Sequence, residues 1–435
     1  MKKIISAIGV VALISSVASA QLLKNFSYDG SIIVNSWTDT NDFDKDENNK
    51  RSQTKTRLHL NTNFELNDSV SAHVSVVKNN RNYGDSAENA NDIQNSLIFE
   101  EAYLNLKGVL GMDHKLGRQF YGDKKDLVIY YGPKMWPYDK DLEVEAIDGF
   151  TAWFKKDNFD VHAILAREKD DKTNIPNRDI DIYGINAKAK FDIPQIIKTL
   201  HVNAYAYEKI DKTAKAVYTD VLGARFNLEN LFVEKLHLGF EYNINKGNDP
   251  NVASNKDRYF EGKSLKLNAE YTYNLFGEIK VGGEYVSISG DNNSNDTEYK
   301  AWKPINSDYR PGIIYGGGFV AEKYSNNSGD KSVYDFDELG LKTYNIGVKY
   351  TPDILENKLT LGIKYYNFKF DKIDGNDIKD KKIGNEFDIV ATWNHSDKVS
   401  LKGYYAMFKP EKKNLPVNAK DDRQTMLGAA FVVKF

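Results

Sequence analysis

The chain has 435 residues, of which 28% are charged, a formal net charge of −3 at pH 7 and no cysteine. A mean hydropathy of −0.57, with no apolar run of about 18 residues after the amino terminus, excludes a helical membrane protein. The mild charge argues against a nucleic-acid partner, and the absence of Cys excludes disulfides, thiolate metal centres and thiol redox chemistry.

Lys2 and Lys3, the apolar run from Ile4 to Ile14 and the small residues Ala18-Ser19-Ala20 form the three parts of a secretory signal peptide. Residues 1–20 are therefore expected to be removed, leaving 21–435 as one domain, and Gln21 in place of Cys argues against a lipid anchor. From Phe26 onward the chain repeats one unit: about ten residues alternating apolar and polar, then a tight turn or a long polar loop. Strands are predicted near Phe26–Trp37, Arg57–Leu66, Val70–Val76, Leu97–Leu106, His114–Phe120, Ile147–Phe154, Phe159–Glu168, Ile180–Phe191 and Leu200–Tyr207. They continue near Val217–Leu228, Leu236–Ile244, Leu265–Tyr273, Ile279–Ile288, Leu341–Tyr350, Leu359–Phe370, Ile383–Asn394, Val399–Phe408 and Arg423–Phe435. Short connections at Asn67-Asp68, Asn274 to Gly277 and His395 to Asp397 alternate with long ones at Tyr121–Ala146, Asn245–Lys263 and Ser289–Leu339.

The last strand alternates Leu427, Ala429, Phe431, Val433 and Phe435 with smaller residues, and a strand with nothing after it still needs partners on both edges. Closure supplies them. The expected fold is all-β, a transmembrane antiparallel barrel of about eighteen strands, with about 16 or 20 if a hairpin is miscounted, and with both termini periplasmic. The 27 Tyr and 22 Phe suit a lipid-facing band and its interfacial girdles. A terminal Phe resembles the ending of outer-membrane barrels of Gram-negative bacteria, which implies that Phe435 is engaged by the barrel-assembly machinery; the assembled protein is expected as a monomer or a homotrimer in outer-membrane lipid.

Facing the apolar side outward makes the other side a lumen rich in ionisable groups of both signs. A basic side chain at the bilayer midplane costs about 2–4 kcal/mol, so the pattern requires water inside. The expected pore-lining residues are Arg57, Arg118, Arg225, Glu241, Glu270, Lys280, Glu284 and Lys402. The arginines stand out, because a guanidinium offers a rigid fork of donors to carboxylate, sulfate or phosphate. At Arg118 strict alternation conflicts with Leu116 and Phe120: either these line the lumen or Gly117 forms a bulge that resets the face. A lumenal Arg118 is expected. The segment Ser289–Leu339, with Trp302, Tyr309, Arg310 and Tyr315, is too aromatic for a simple external loop and is expected to fold back and narrow the pore.

Glu101-Ala102-Tyr103-Leu104-Asn105-Leu106, then Leu116-Gly117-Arg118-Gln119-Phe120-Tyr121-Gly122-Asp123, then Ile147-Asp148-Gly149-Phe150, resemble the alginate-export family of outer-membrane porins. The resemblance implies an eighteen-stranded barrel passing anionic polysaccharide or small solutes. The mixed sign of this lumen departs from the basic lining expected of a polyanion exporter. The seven histidines are scattered without metal-ligand spacing, and the acidic runs Asp39–Glu47 and Asp371–Asp380 lack the order of a calcium loop. No cofactor, metal or catalytic residue is expected. The function expected is passive diffusion of small polar or anionic solutes, with a polysaccharide exporter, a plugged surface barrel and an outer-membrane hydrolase as alternatives.

Overall fold

The computed structural model describes residues 24–40, 50–82, 97–124, 126–133, 145–169, 179–193, 197–212, 215–251, 257–293, 297–317, 336–373, 380–414 and 423–435. The expected signal segment 1–20 and most of the two acidic runs lie outside them.

Eighteen strands form the wall: β1 Lys24–Thr40, β2 Lys50–Asn67, β3 Val70–Asn82, β4 Leu97–Val109, β5 Met112–Gln119, β6 Ile147–Lys156, β7 Phe159–Lys169, β8 Ile180–Ile193 and β9 Ile197–Asp211. The second half comprises β10 Val217–Glu229, β11 Leu236–Asp249, β12 Lys263–Asn274, β13 Gly277–Ile288, β14 Leu341–Pro352, β15 Leu359–Lys369, β16 Lys382–Asn394, β17 Val399–Pro410 and β18 Gln424–Lys434. Each wall strand pairs antiparallel with its neighbours in the chain. The short strands Arg258–Phe260 and Glu298–Tyr299 bring the sheet to twenty strands by joining it above β11 and β12.

Register fixes the two faces. Arg225 lies opposite Glu241, and Glu241 opposite Lys266, while their neighbours Phe226, Phe240 and Leu267 point outward and are exposed. The same alternation exposes Leu58, Ile346, Leu361, Leu427 and Phe431 outside and buries Trp37, Tyr205, Phe368, Tyr404 and Met426 inside. A period of two leaves no other arrangement once one face meets lipid. The even strand number puts both termini at one end. There four connections are only two residues long, at 68–69, 110–111, 157–158 and 275–276, whereas the shortest at the other end, 212–216, has five.

The wall closes by β1 against β18, with Ser31 opposite Lys434 through Asp39 opposite Met426. Phe435 extends the pairing: its N–H donates to Gly30 O at 3.0 Å and its carbonyl accepts from Gly30 N–H at 3.1 Å. The Phe435 ring lies over Gly30 on the outer face, where a Cβ would sit 2.6 Å from it. Deleting Phe435 removes two backbone hydrogen bonds, each contributing about 0.5–1.5 kcal/mol. Gly30→Val displaces the ring. Both variants are expected to lower the folded outer-membrane yield severalfold while the molecules that assemble conduct normally. Heat-modifiable mobility on gels measures the folded fraction, and wild-type yield from both would remove the terminal Phe from closure.

Candidate functional site

An eighteen-stranded wall is too wide for its own side chains to fill, so what occupies the lumen decides what passes. Two of the long connections enter it. The first, between β5 and β6, carries the apolar run Leu127-Val128-Ile129-Tyr130-Tyr131, of which all but Tyr130 are buried. The second, between β13 and β14, buries Ala301, Trp302, Ile305, Tyr309, Ile313, Ile314 and Tyr315. Both segments thus carry buried apolar side chains against the inner wall; that of the first was not anticipated.

The two loops are knitted by backbone bonds. Ile305 N–H donates to Val128 O at 3.0 Å, Tyr130 N–H to Asn306 O at 2.6 Å, and the Trp302 indole N–H to Leu127 O at 3.3 Å. Ser307 Oγ donates to Asp126 O at 2.6 Å. Together they form one shelf across the barrel. Inner-wall side chains hold its underside: Lys209 Nζ reaches Ile305 O at 3.3 Å and Glu168 at 2.6 Å, and Glu168 also accepts from the Tyr131 hydroxyl at 2.5 Å. Asn245 both donates to Lys303 O and accepts from Lys303 N–H, each at 2.7 Å.

The expected pore residues do not all come together. Arg225, Glu241, Glu284, Trp302, Tyr309 and Tyr315 meet at the shelf. Arg225 is clamped between Asp126 at 2.9 Å and Glu241 at 3.1 Å, and Glu284 takes the Tyr309 hydroxyl at 2.8 Å and Lys266 at 3.3 Å. Burial, reinforced by Glu284, holds the Tyr309 phenol well above its ordinary value, which keeps it a donor. Burial also raises the Asp126 carboxyl; Arg225 opposes that rise and Glu241 adds to it. Arg310 pairs with Asp308 at 2.9 Å within the loop. Arg57 is inward and buried, bonded to Glu100, which also lies 3.0 Å from His59. Glu270, Lys280 and Lys402 share the inner face nearer the tight turns, with Lys280 3.1 Å from Glu278.

Arg118 requires a correction. Pairing of β5 with β6 runs without a break from Asp113 to Gln119, so Gly117 makes no bulge and Arg118 stays on the outer face with Leu116. It lies at the end of β5 towards the long loops, with its side chain 43% exposed and 3.4 Å from Asp148 directly opposite. At the rim a guanidinium reaches the interface and a carboxylate, and the cost that applies at the midplane does not arise.

A cavity of about 180 Å³ opens against the shelf, lined by Asp123, Lys124, Asp126, Arg225, Glu241 and Lys266 among others. Charges of both signs surround it. On the far arc the loop is latched through its backbone: Ile314 and Tyr315 N–H donate to the two oxygens of Glu386 at 2.7 and 2.9 Å, and Ile313 N–H to Asp388 at 3.2 Å. Gly312, at φ +86°, allows this approach, because a Cβ there would sit 2.7 Å from a Glu386 oxygen. Tyr315 stacks on Phe368 with ring centroids 4.1 Å apart. A carboxylate accepts with both oxygens, whereas Gln accepts with one. Glu386→Gln should thus leave a buried N–H unpaired at a cost of about 1–3 kcal/mol. The expected outcome is an intact barrel with larger and noisier single-channel currents; currents identical to wild type would show that the latch does not set the aperture.

No family model and no curated protein sequence matches the chain. Among solved structures it is similar to Pseudomonas aeruginosa OccD3 (OpdP), with a TM-score of 0.56, 13% identity and coverage of 96% of this chain and 92% of that one. It is also similar to the outer membrane protein OprD of the same organism, with a TM-score of 0.55, 12% identity and 96% of each chain covered. P. aeruginosa OccK2 (OpdF) in complex with glucuronate gives a TM-score of 0.56 at 10% identity, covering 95% of this chain and 99% of that one. At these identities the likeness establishes a shared fold: the closed antiparallel eighteen-strand barrel of outer-membrane porins.

Proposed function

We propose that the chain is a passive diffusion channel of a bacterial outer membrane, selecting small polar or anionic solutes at the two-loop shelf, and not an enzyme. The observation that carries this reading is the closed wall with a charged inner face, narrowed by two loops whose buried charges are paired. The likeness in fold to OprD, and to an Occ channel described with glucuronate, supports a small carboxylate such as a uronate as one solute class. The tight turns and both termini are assigned to the periplasm and the long loops to the exterior, following the usual polarity of such barrels. Phe435 is assigned the assembly-signal role.

The alginate-export resemblance would make the chain an exporter of a long polyanion. The shelf argues against that substrate: Asp126 belongs to it, Glu241, Glu284, Glu386 and Asp388 surround it, and a threaded polyanion would have to pass these carboxylates. Small solutes can instead exchange water for a few paired groups at a time.

Single-channel recording in planar bilayers tests the reading. Wild type should conduct. Excising Asn292 to Asp335 and bridging with a short linker should raise conductance, and the geometry permits it, because the loop's ends already meet where Asp291 N–H donates to Glu338 O at 2.5 Å. A silent wild type beside a conducting deletion would favour a plugged surface barrel. A second measurement concerns charge. Arg225 with Asp126 and Glu241 carries one excess negative charge, so Asp126→Asn should move the reversal potential towards anions and Arg225→Gln towards cations. Both shifts should shrink as salt rises, since screening acts over about 10 Å at 0.1 M. If neither variant moves the potential at low salt, the selective-channel reading fails.

A further inference from the structure

The tight turns at the end bearing both termini fall into two classes. Those after β2, β6 and β16 are tipped by polar residues: Asp68 and Ser69, Asp157 and Asn158, and His395 to Lys398. The four consecutive turns from β8 to β15 are flanked or tipped by large apolar side chains. Phe191 and Ile193 close β8, Phe232 and Val233 follow β10, Leu275 and Phe276 follow β12, and Ile354 and Leu355 follow β14. At the tips Phe232 is 80% exposed, Phe276 83% and Ile354 87%. Leu110, on the turn after β4, is an apolar tip outside this arc.

Local chemistry does not account for these residues. Phe232 and Phe276 sit at φ 55° and 50°, in the left-handed region where tight turns favour Gly, Asn or Asp. Each is unfavourable for the backbone and also unfavourable in water, and neither side chain is covered by the protein. What favours them must therefore come from outside the chain. Their placement identifies it: Tyr271 and Tyr273 lead down the outer face of β12 to Leu275 and Phe276, and the outward pair Phe226 and Phe240 stands on the strands that run into the Phe232 turn, so the tips continue the lipid-facing columns of the wall.

We infer that the turns after β10, β12 and β14, with the Phe191–Ile193 end of β8 beside them, insert into the headgroup–acyl boundary of the lipid leaflet on the terminus side, so that this arc anchors the barrel and tilts it relative to the polar-tipped arc. The inference rests on the membrane-channel reading above. Bulky apolar residues at such a boundary bury their surface in the acyl edge, as interfacial anchors do. The opposite turns, with Asp68, Asp157 and Asp397, stay in water. The periplasmic mouth then opens obliquely to the membrane plane.

Because the chain has no Cys, nitroxide-labelled single-cysteine variants report each site cleanly. Phe232→Cys, Phe276→Cys and Ile354→Cys are placed in phosphatidylethanolamine–phosphatidylglycerol vesicles, with Leu267→Cys as the lipid reference and Asp68→Cys and Asp397→Cys as aqueous references. The three tips should favour collision with oxygen over a water-soluble nickel complex by a severalfold ratio, as Leu267→Cys does, and the aqueous references should show the reverse. Aqueous behaviour at the tips with a lipid-like Leu267→Cys overturns the inference and leaves the channel reading standing. An aqueous Leu267→Cys overturns both. Tip labels that are immobilised at high protein density and freed on dilution would place a second copy there instead of lipid, and would overturn it as well.

Discussion

Closure of the hydrogen-bonded wall is the constraint from which the rest follows. In lipid no water satisfies an open edge, and each unpaired backbone group costs several kcal/mol, so β1 must find β18 before any strand between them is secure. The last link in that seam is made by Phe435 and Gly30, one supplying a ring and the other the space for it. An even number of strands then sets both termini on one side, where the two-residue turns also lie. The alternation of faces follows, and with it a charged interior that only water or paired charge can tolerate.

Paired charge is what the inner wall and the shelf provide. Arg57 with Glu100, Arg225 with Asp126 and Glu241, Lys209 with Glu168 and Lys266 with Glu284 each join a cation to a carboxylate on the inner wall or an inward loop. Removing one member of a buried pair strands the other, which is more costly than losing both. Most of these groups therefore hold loops and strands in place before they act on a solute. On the channel reading, the field a solute meets is the small imbalance left after pairing, such as the single excess negative charge around Arg225, and not the sum of the arginines.

How much of this was legible in the sequence depends on whether the signal was local. The strands were, because lipid on one side and water on the other enforce alternation along each of them, as in the run from Phe226 to Leu228 or from Leu427 to Phe435. The loop with Trp302, Tyr309 and Tyr315 is marked in the sequence by its aromatic density, and the structure buries these three side chains. Arg118 misled, because a midplane cost was applied to a residue at the rim, while the register itself had already placed it outside with Leu116. The loop containing Leu127 to Tyr131 was missed because its partners, Trp302 to Asn306, are remote in the chain; five consecutive apolar or aromatic residues inside a polar connection were the available signal. Glu386 and Asp388 lie on the inner face, but their role was invisible in the sequence, since they accept from backbone N–H groups and no side-chain pattern records that.

That last point bears on how the aperture behaves. Glu386 and Asp388 grip the backbone of Ile313, Ile314 and Tyr315, the shelf's other edge is gripped through Asn245, Lys209 and Arg225, and the two loops are bonded to each other between. Lifting either loop alone would break bonds on both sides of it and leave buried donors and acceptors unpaired, at about 1–3 kcal/mol each. The costs accumulate over the whole contact, so the shelf resists partial opening and acts as a single body. A lid that opens for each solute would need a hinge with few such bonds. On the channel reading proposed above, the described residues of the two loops form a braced filter, and diffusion past it needs no conformational cycle.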